Sequence, residues 1–178
     1  MVTTHNTAQG TDEWHSARVG KFTASNAIKL LKYGRSQRAR VSEERTFTNK
    51  YMQRGHDLEP EAITLYEEAR QVKVERPGYL TNDEYPDCLF SPDGLTDHRV
   101  IEVKCFKEER HHAVKKSIPA EILAQIHFGM IIAELDKAHL VLYNPDIENL
   151  RRALYIIPIR KDKRLERRLK KLMKGVEL

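Results

Sequence analysis

The sequence predicts an α/β protein, a mixed sheet flanked by helices, and three stretches carry that prediction. Val100-Ile101-Glu102-Val103-Lys104-Cys105 alternates with period two and is rich in β-branched residues, which marks a strand. Residues 119–135 are apolar nearly all round, as in a helix buried against a sheet. Two more β-rich runs, 139–143 and 153–159, flank the turn Asn144-Pro145-Asp146 and supply further strands.

The 178 residues fit one domain, 1–178, large enough to bury a core. Apolar residues make up 40% and charged residues 32%, the balance of a soluble globular chain. A net charge of +5 from 31 basic residues permits a polyanionic partner without requiring one. No apolar run is long enough for a bilayer and no charged-then-apolar leader opens the chain, so the expected compartment is cytoplasmic, with no membrane partner. Cys88 and Cys105 make no disulfide framework and read as buried strand thiols.

In chain order, residues 1–10 read as a flexible polar tail. Thr11-Asp12-Glu13-Trp14 opens a short helix with a capping residue and acidic first turn, and Trp14 is expected to anchor it in the core. Thr23 and Ser25 are expected as N-caps of a helix from about Asn26 to Lys32. Arg18 beside those hydroxyls can form an anion pocket, since free helix N–H groups favour negative charge; Ser25 reads equally well as a plain cap. The basic stretch 32–45 is a solvated loop or weak helix, with a DNA-backbone contact as the functional alternative.

Helices are expected from about Thr46 to Arg54 and from about Glu59 to Gln71, broken near Gly55, with Pro60 in a first turn. Glu59 would complement that second helix's dipole. Short strands are expected at 72–74 and 78–80, and irregular structure at 106–117. Gln125 sits within the apolar helix, where a buried amide needs partners; it either holds structure or faces a polar site. The chain closes on a basic helix in 160–178, with Leu165, Leu169 and Leu172 as its packing stripe.

The chemistry concentrates around Ser91-Pro92-Asp93-Gly94 and the strand after it. A turn at Asp97-His98 would set Leu95 opposite Val100, Asp93 opposite Glu102 and Ser91 opposite Lys104. Opposed carboxylates repel, and one lysine only partly relieves them. Mg²⁺ would resolve the conflict, because it takes one or two carboxylates and fills its other positions with water and phosphate. The plain alternative is a surface hairpin with an ordinary Glu–Lys pair.

Taken together, Trp14…Arg18-x-Gly20…Thr23-Ala24-Ser25, Arg54-Gly55…Glu59-Pro60, Ser91-Pro92-Asp93-Gly94, Glu102-Val103-Lys104 and Gln125-Ile126-His127-Phe128-Gly129-Met130 follow the order of motifs in the lambda-type viral alkaline exonucleases. The chain resembles a compact member of that family, within the PD-D/E-x-K superfamily, over roughly residues 9 to 160. The resemblance implies a restriction-endonuclease-like core. It implies that Asp93, Glu102 and the Val103 carbonyl ligate Mg²⁺ (Mn²⁺ as substitute), with Glu59 assisting a second ion. Lys104 would orient or activate water, supported by Gln125, and Arg18, Ser25 and Ser91 would hold a 5′-phosphate. The implied activity is 5′→3′ digestion of one strand of linear duplex DNA, leaving a 3′ single strand for recombination. The implied partners are double-stranded DNA ends, a single-strand annealing protein and a homotrimeric assembly. A superfamily nuclease of other polarity or substrate would keep the same residues, and an inactive DNA-end-binding module is the non-enzymatic alternative.

Overall fold

A computed structural model of the chain describes residues 1–42 and 50–175. In order, the first half contains β1 (Val2–His5), α1 (Asp12–Arg18), β2 (Phe22–Thr23), α2 (Ala27–Tyr33), α3 (Lys50–Arg70), β3 (Tyr79–Asn82) and β4 (Cys88–Leu89). Then follow β5 (Gly94–Thr96), β6 (Arg99–Lys104), α4 (Glu108–Lys116), α5 (Ala120–Ile132), β7 (Lys137–Tyr143), α6 (Leu150–Ala153), β8 (Leu154–Arg160) and α7 (Lys163–Lys174).

The main sheet runs β5-β6-β7-β8. Its β6–β7 pair is parallel and its two outer pairs are antiparallel, so it is mixed, as the sequence predicts. The parallel pair requires a crossover, and α4 and α5 provide it. One face packs α5, α2 and α7 around Val100, Leu140 and Leu142; the other packs α3 through Ala62, Ile63 and Tyr66 onto Ile101, Val103 and Val141. β6 is therefore covered on both sides, the usual condition of a parallel pair, and Glu102 is 1% exposed.

Several local expectations give way to longer-range contacts. Residues 2–5 are strand rather than tail, because β1 gains a full antiparallel ladder with β3. The segments expected as two helices form the single α3: Gly55 does not break it, and Pro60 lies in its interior. Pro60 is on an exposed side, where the carbonyl it leaves unpaired meets solvent. Arg45 and the expected helix start at 46–49 lie outside the described residues. Residues 108–116 are helical, with acidic residues in the first turn and lysines in the last, so the macrodipole favours the segment despite its polarity.

The basic stretch after α2 is held by specific bonds. Arg35 donates to the Leu172 and Met173 carbonyls at the end of α7 and pairs with Asp87, while Arg40 donates to the Gly20 carbonyl. These two arginines tie α7 and the β2–β4 ribbon together. The Leu165, Leu169 and Leu172 stripe packs into the core beside α2 and α5. Gly129 on α5 lies against Phe90, whose ring a Cβ would meet at 2.6 Å. No helix among the described residues is long and apolar enough to cross a membrane.

Candidate active site

The β5–β6 hairpin turns at Asp97-His98 in the expected register, with Leu95 opposite Val100. The ladder ends one step early, at Gly94 opposite Ile101. Asp93 therefore leaves the strand direction and its Oδ2 accepts the Val103 N–H at 2.7 Å. Ser91 does not face Lys104 across a ladder. Phe90 is bridged to Leu80 instead, Pro92 has no N–H to offer, and the Pro92 carbonyl accepts from Gln9 Nε2 at 2.9 Å.

On β6, Glu102 and Lys104 share a face, and the Lys104 ammonium donates to Glu102 Oε1. From α5, Gln125 Nε2 donates to the same oxygen at 2.6 Å. The buried amide is thus explained: it reaches down from the crossover helix to fix a buried carboxylate. Glu59, halfway along α3, accepts from Arg76 at 2.5 Å. That residue is mid-helix, so the dipole role expected for it does not arise.

Electrostatics join these residues into one cluster. Burial is the largest effect on Glu102 and raises it to about 7, with Lys104 opposing and the Asp93 and Glu59 charges adding to the rise. Glu59 also stands at about 7, raised by burial and by Asp93 against the pull of Arg76. Burial raises Asp93 too, while Lys104 and the Val103 N–H hold it down. Burial works against the Lys104 ammonium, yet the surrounding carboxylates outweigh it and raise the group.

These residues fit a hard divalent cation by the chemistry of their donors. Three mutually repelling carboxylates face one lysine and one arginine, and the bonds above occupy Oδ2 of Asp93 and Oε1 of Glu102. Among the described residues, no group of three His, Cys, Asp or Glu side chains forms a ready metal cage. Mg²⁺ does not need one, since water and substrate phosphate complete its shell.

A second polar group lies beside the hairpin. Arg18 donates to Ser91 Oγ at 2.8 Å and to Ser25 Oγ at 3.4 Å, and Thr23 Oγ1 lies 3.1 Å from Ser25 Oγ. Trp14 is half-buried rather than a core anchor. Its indole N–H donates to Ser91 Oγ and to the Gly78 carbonyl, and the Arg18 guanidinium stacks on its ring at 4.2 Å. Burial lowers Arg18 to about 10, which leaves it charged at neutral pH. Neither Thr23 nor Ser25 caps α2 as expected: Ser25 lies in a 3₁₀ turn over Ala24–Asn26, and Thr23, at the end of β2, precedes that turn without making a side-chain cap bond.

The structure thus brings Asp93, Glu102, Val103, Lys104, Gln125 and Glu59 into one cluster, and Arg18, Ser25 and Ser91 into another. The continuous Ser91-Pro92-Asp93 segment links them. Sequence reasoning missed Gln9 and Arg76, which no local pattern marks. The stacking of Trp14 on Arg18 was readable from their i, i+4 spacing on one helix.

A family model, the YqaJ-like viral recombinase domain, matches residues 13–136. Among solved structures, LHK-Exo in complex with dAMP is 25% identical with a TM-score of 0.80, over 93% of this chain and 90% of that one. The alkaline exonuclease LHK-Exo from Laribacter hongkongensis gives 24% identity and a TM-score of 0.78 over the same shares. A phage-related exonuclease from Haemophilus somnus shares the fold at 16% identity and a TM-score of 0.64, covering 90% of this chain and 93% of that one. No curated protein matches the sequence.

Proposed function

The chain belongs to the YqaJ-like viral recombinase domain family, and on that premise we propose that it is a divalent-metal-dependent 5′→3′ exonuclease of linear duplex DNA. The observation that carries this reading is the Glu102 carboxylate, buried on β6 and held by Lys104 and Gln125 beside Asp93. A fully buried carboxylate fixed by two donors is costly for a surface hairpin and useful for a reaction centre.

In this reading Asp93, Glu102 and the Val103 carbonyl hold Mg²⁺ or Mn²⁺, and Glu59 assists a second ion. The cation, when bound, acidifies water and neutralises charge developing on the scissile phosphate. Lys104 places a fixed positive charge at the same point and orients the attacking water, contributing in the transition state more than in the ground state. Gln125 keeps Glu102 in one rotamer, so no reorganisation is needed as charge develops. Arg18, Ser25 and Ser91 receive the 5′-phosphate, with Trp14 holding the Arg18 guanidinium over its ring. Because Ser91 and Asp93 are two residues apart, an end bound in that pocket is brought to the carboxylates, which favours action from the 5′ end. The product strand would serve recombination beside a single-strand annealing protein, and a homotrimer is the assembly this reading carries.

Linear duplexes labelled on either strand, bearing 5′-phosphate or 5′-hydroxyl, test it with Mg²⁺ and with EDTA. The expected result is loss of the 5′-labelled strand only, faster from phosphorylated ends and absent in EDTA. Degradation from the 3′ end, or equal rates from both kinds of end, would overturn the assigned polarity or the Arg18 pocket respectively.

A further inference from the structure

A basic recess at the β8 edge has no part in the chemistry above. It has a volume of about 410 Å³ and is lined by His112, Lys115, Lys116, Arg152 and Tyr155. No lining residue is acidic. The Glu108 carboxylate stands 3.6 Å from His112 Nε2 at the margin and is itself exposed. His112 Nε2 is buried without a hydrogen-bond partner among the described residues. Concentrating three flexible cations around one recess costs electrostatic energy that a bound anion would relieve.

The recess is also ordered. The Lys115 ammonium lies 3.6 Å from the centroid of the Tyr155 ring, and the His111 ring packs on Tyr155 at 5.2 Å. His111 is anchored in turn by a 2.9 Å bond between its Nε2 and the Arg152 carbonyl. With His111 and Lys115 already against it, the tyrosine is less a stacking platform than a support that holds a lysine in place.

Its position relates it to the reaction centre. Lys104 pairs with Leu142, and Leu142 with Tyr155, so the three stand in one row across the sheet. Two strand spacings separate Lys104 from Tyr155, roughly 10 Å between backbones. Leu142 between them is fully buried, so a strand reaching both runs over the surface rather than along the row, and this separation is a lower bound on its path.

We propose that this recess is a second DNA-backbone site, in which Lys115, Lys116 and Arg152 hold phosphates of a strand engaged at the reaction centre. The proposal rests on the nuclease reading and adds to it a contact away from the scissile bond. Tyr155 is a positioning residue for Lys115.

The test is equilibrium binding of a fluorescein-labelled 5′-phosphorylated duplex, in EDTA, across a salt series. The triple variant Lys115→Ala/Lys116→Ala/Arg152→Ala changes exposed side chains only. It should bind at least about tenfold more weakly at low salt, with the slope of log K against log salt reduced by about 3, as expected for three lost contacts to duplex phosphates. Lys115→Arg/Lys116→Arg should restore both, and Tyr155→Leu should weaken binding less than the triple variant. Unchanged affinity and slope in a triple variant of unaltered Tm, with wild type binding normally, would overturn the recess site and leave the nuclease reading standing. Failure of wild type and Lys104→Gln alike to bind DNA would overturn both. Binding of inorganic phosphate by wild type but not by the triple variant, with duplex affinity and salt slope equal in the two, would make this a small-anion site and overturn the DNA assignment.

Discussion

Lys104 and Glu102 show how two side chains on one face of a strand divide their work. The carboxylate is buried and cannot turn, while the ammonium retains some access to solvent. Lys104→Gln keeps a donor for Glu102 but removes the charge. It should lower kcat by about 10²–10³-fold, the loss typical of one transition-state donor, with DNA affinity by anisotropy little changed. Retained turnover would remove Lys104 from the mechanism. The raised carboxylates carry a pH signature as well. Glu59 and Glu102 titrate near 7 in the metal-free chain, so their contribution to stability is greatest at low pH and is lost as pH rises through about 7. A cation competes with those protons, so the gain in Tm on adding Mg²⁺ should be small at pH 6 and grow through pH 7 and 8. A gain independent of pH would mean that these carboxylates do not hold the ion.

The joint between α3 and β7 includes a buried hydrogen bond, 2.8 Å between the Tyr66 hydroxyl and His139 Nδ1, beside its apolar packing. Burial, then Arg70 and Arg99, lower His139 to about 4. The imidazole stays neutral in the folded chain, and its contribution is complete above about 6.5 and lost as pH falls toward 4. Urea unfolding across that range should show a loss on the order of 2 kcal/mol from this group, and His139→Asn should flatten that part of the profile. An identical slope in the variant would refute it. At this scale the sequence was legible wherever periodicity was strong. β6, α5, β7, β8 and α7 all lie close to where their patterns put them, because each has a single apolar solution. It was misleading wherever an element depends on a distant partner. β1 owes its existence to β3, some 75 residues on, and α3 runs through Gly55 and Pro60 because its apolar face is already committed to the sheet. α4 is too polar to announce itself by any apolar stripe.

For the molecule as a whole, the two clusters were legible in outline and not in detail. The turn at Asp97-His98 fixed the hairpin register, and that was enough to gather Asp93, Glu102 and Lys104. The displacement of Ser91 from Lys104 toward Arg18 was readable only through the family resemblance and not from the hairpin register, since it depends on Phe90 bridging Leu80 and on Gln9 holding Pro92. The same holds for Arg76, which meets Glu59 only because α3 is unbroken. The parallel seam between β6 and β7 has one more consequence, for biosynthesis. Asp93, Glu102 and Lys104 all leave the ribosome before Gln125 and before the strand that closes the sheet beside them. Long-range pairings of this kind form late. A half-made chain therefore carries the acidic pair without the frame that fixes it, and the carboxylate cluster falls into place only once the crossover has been translated.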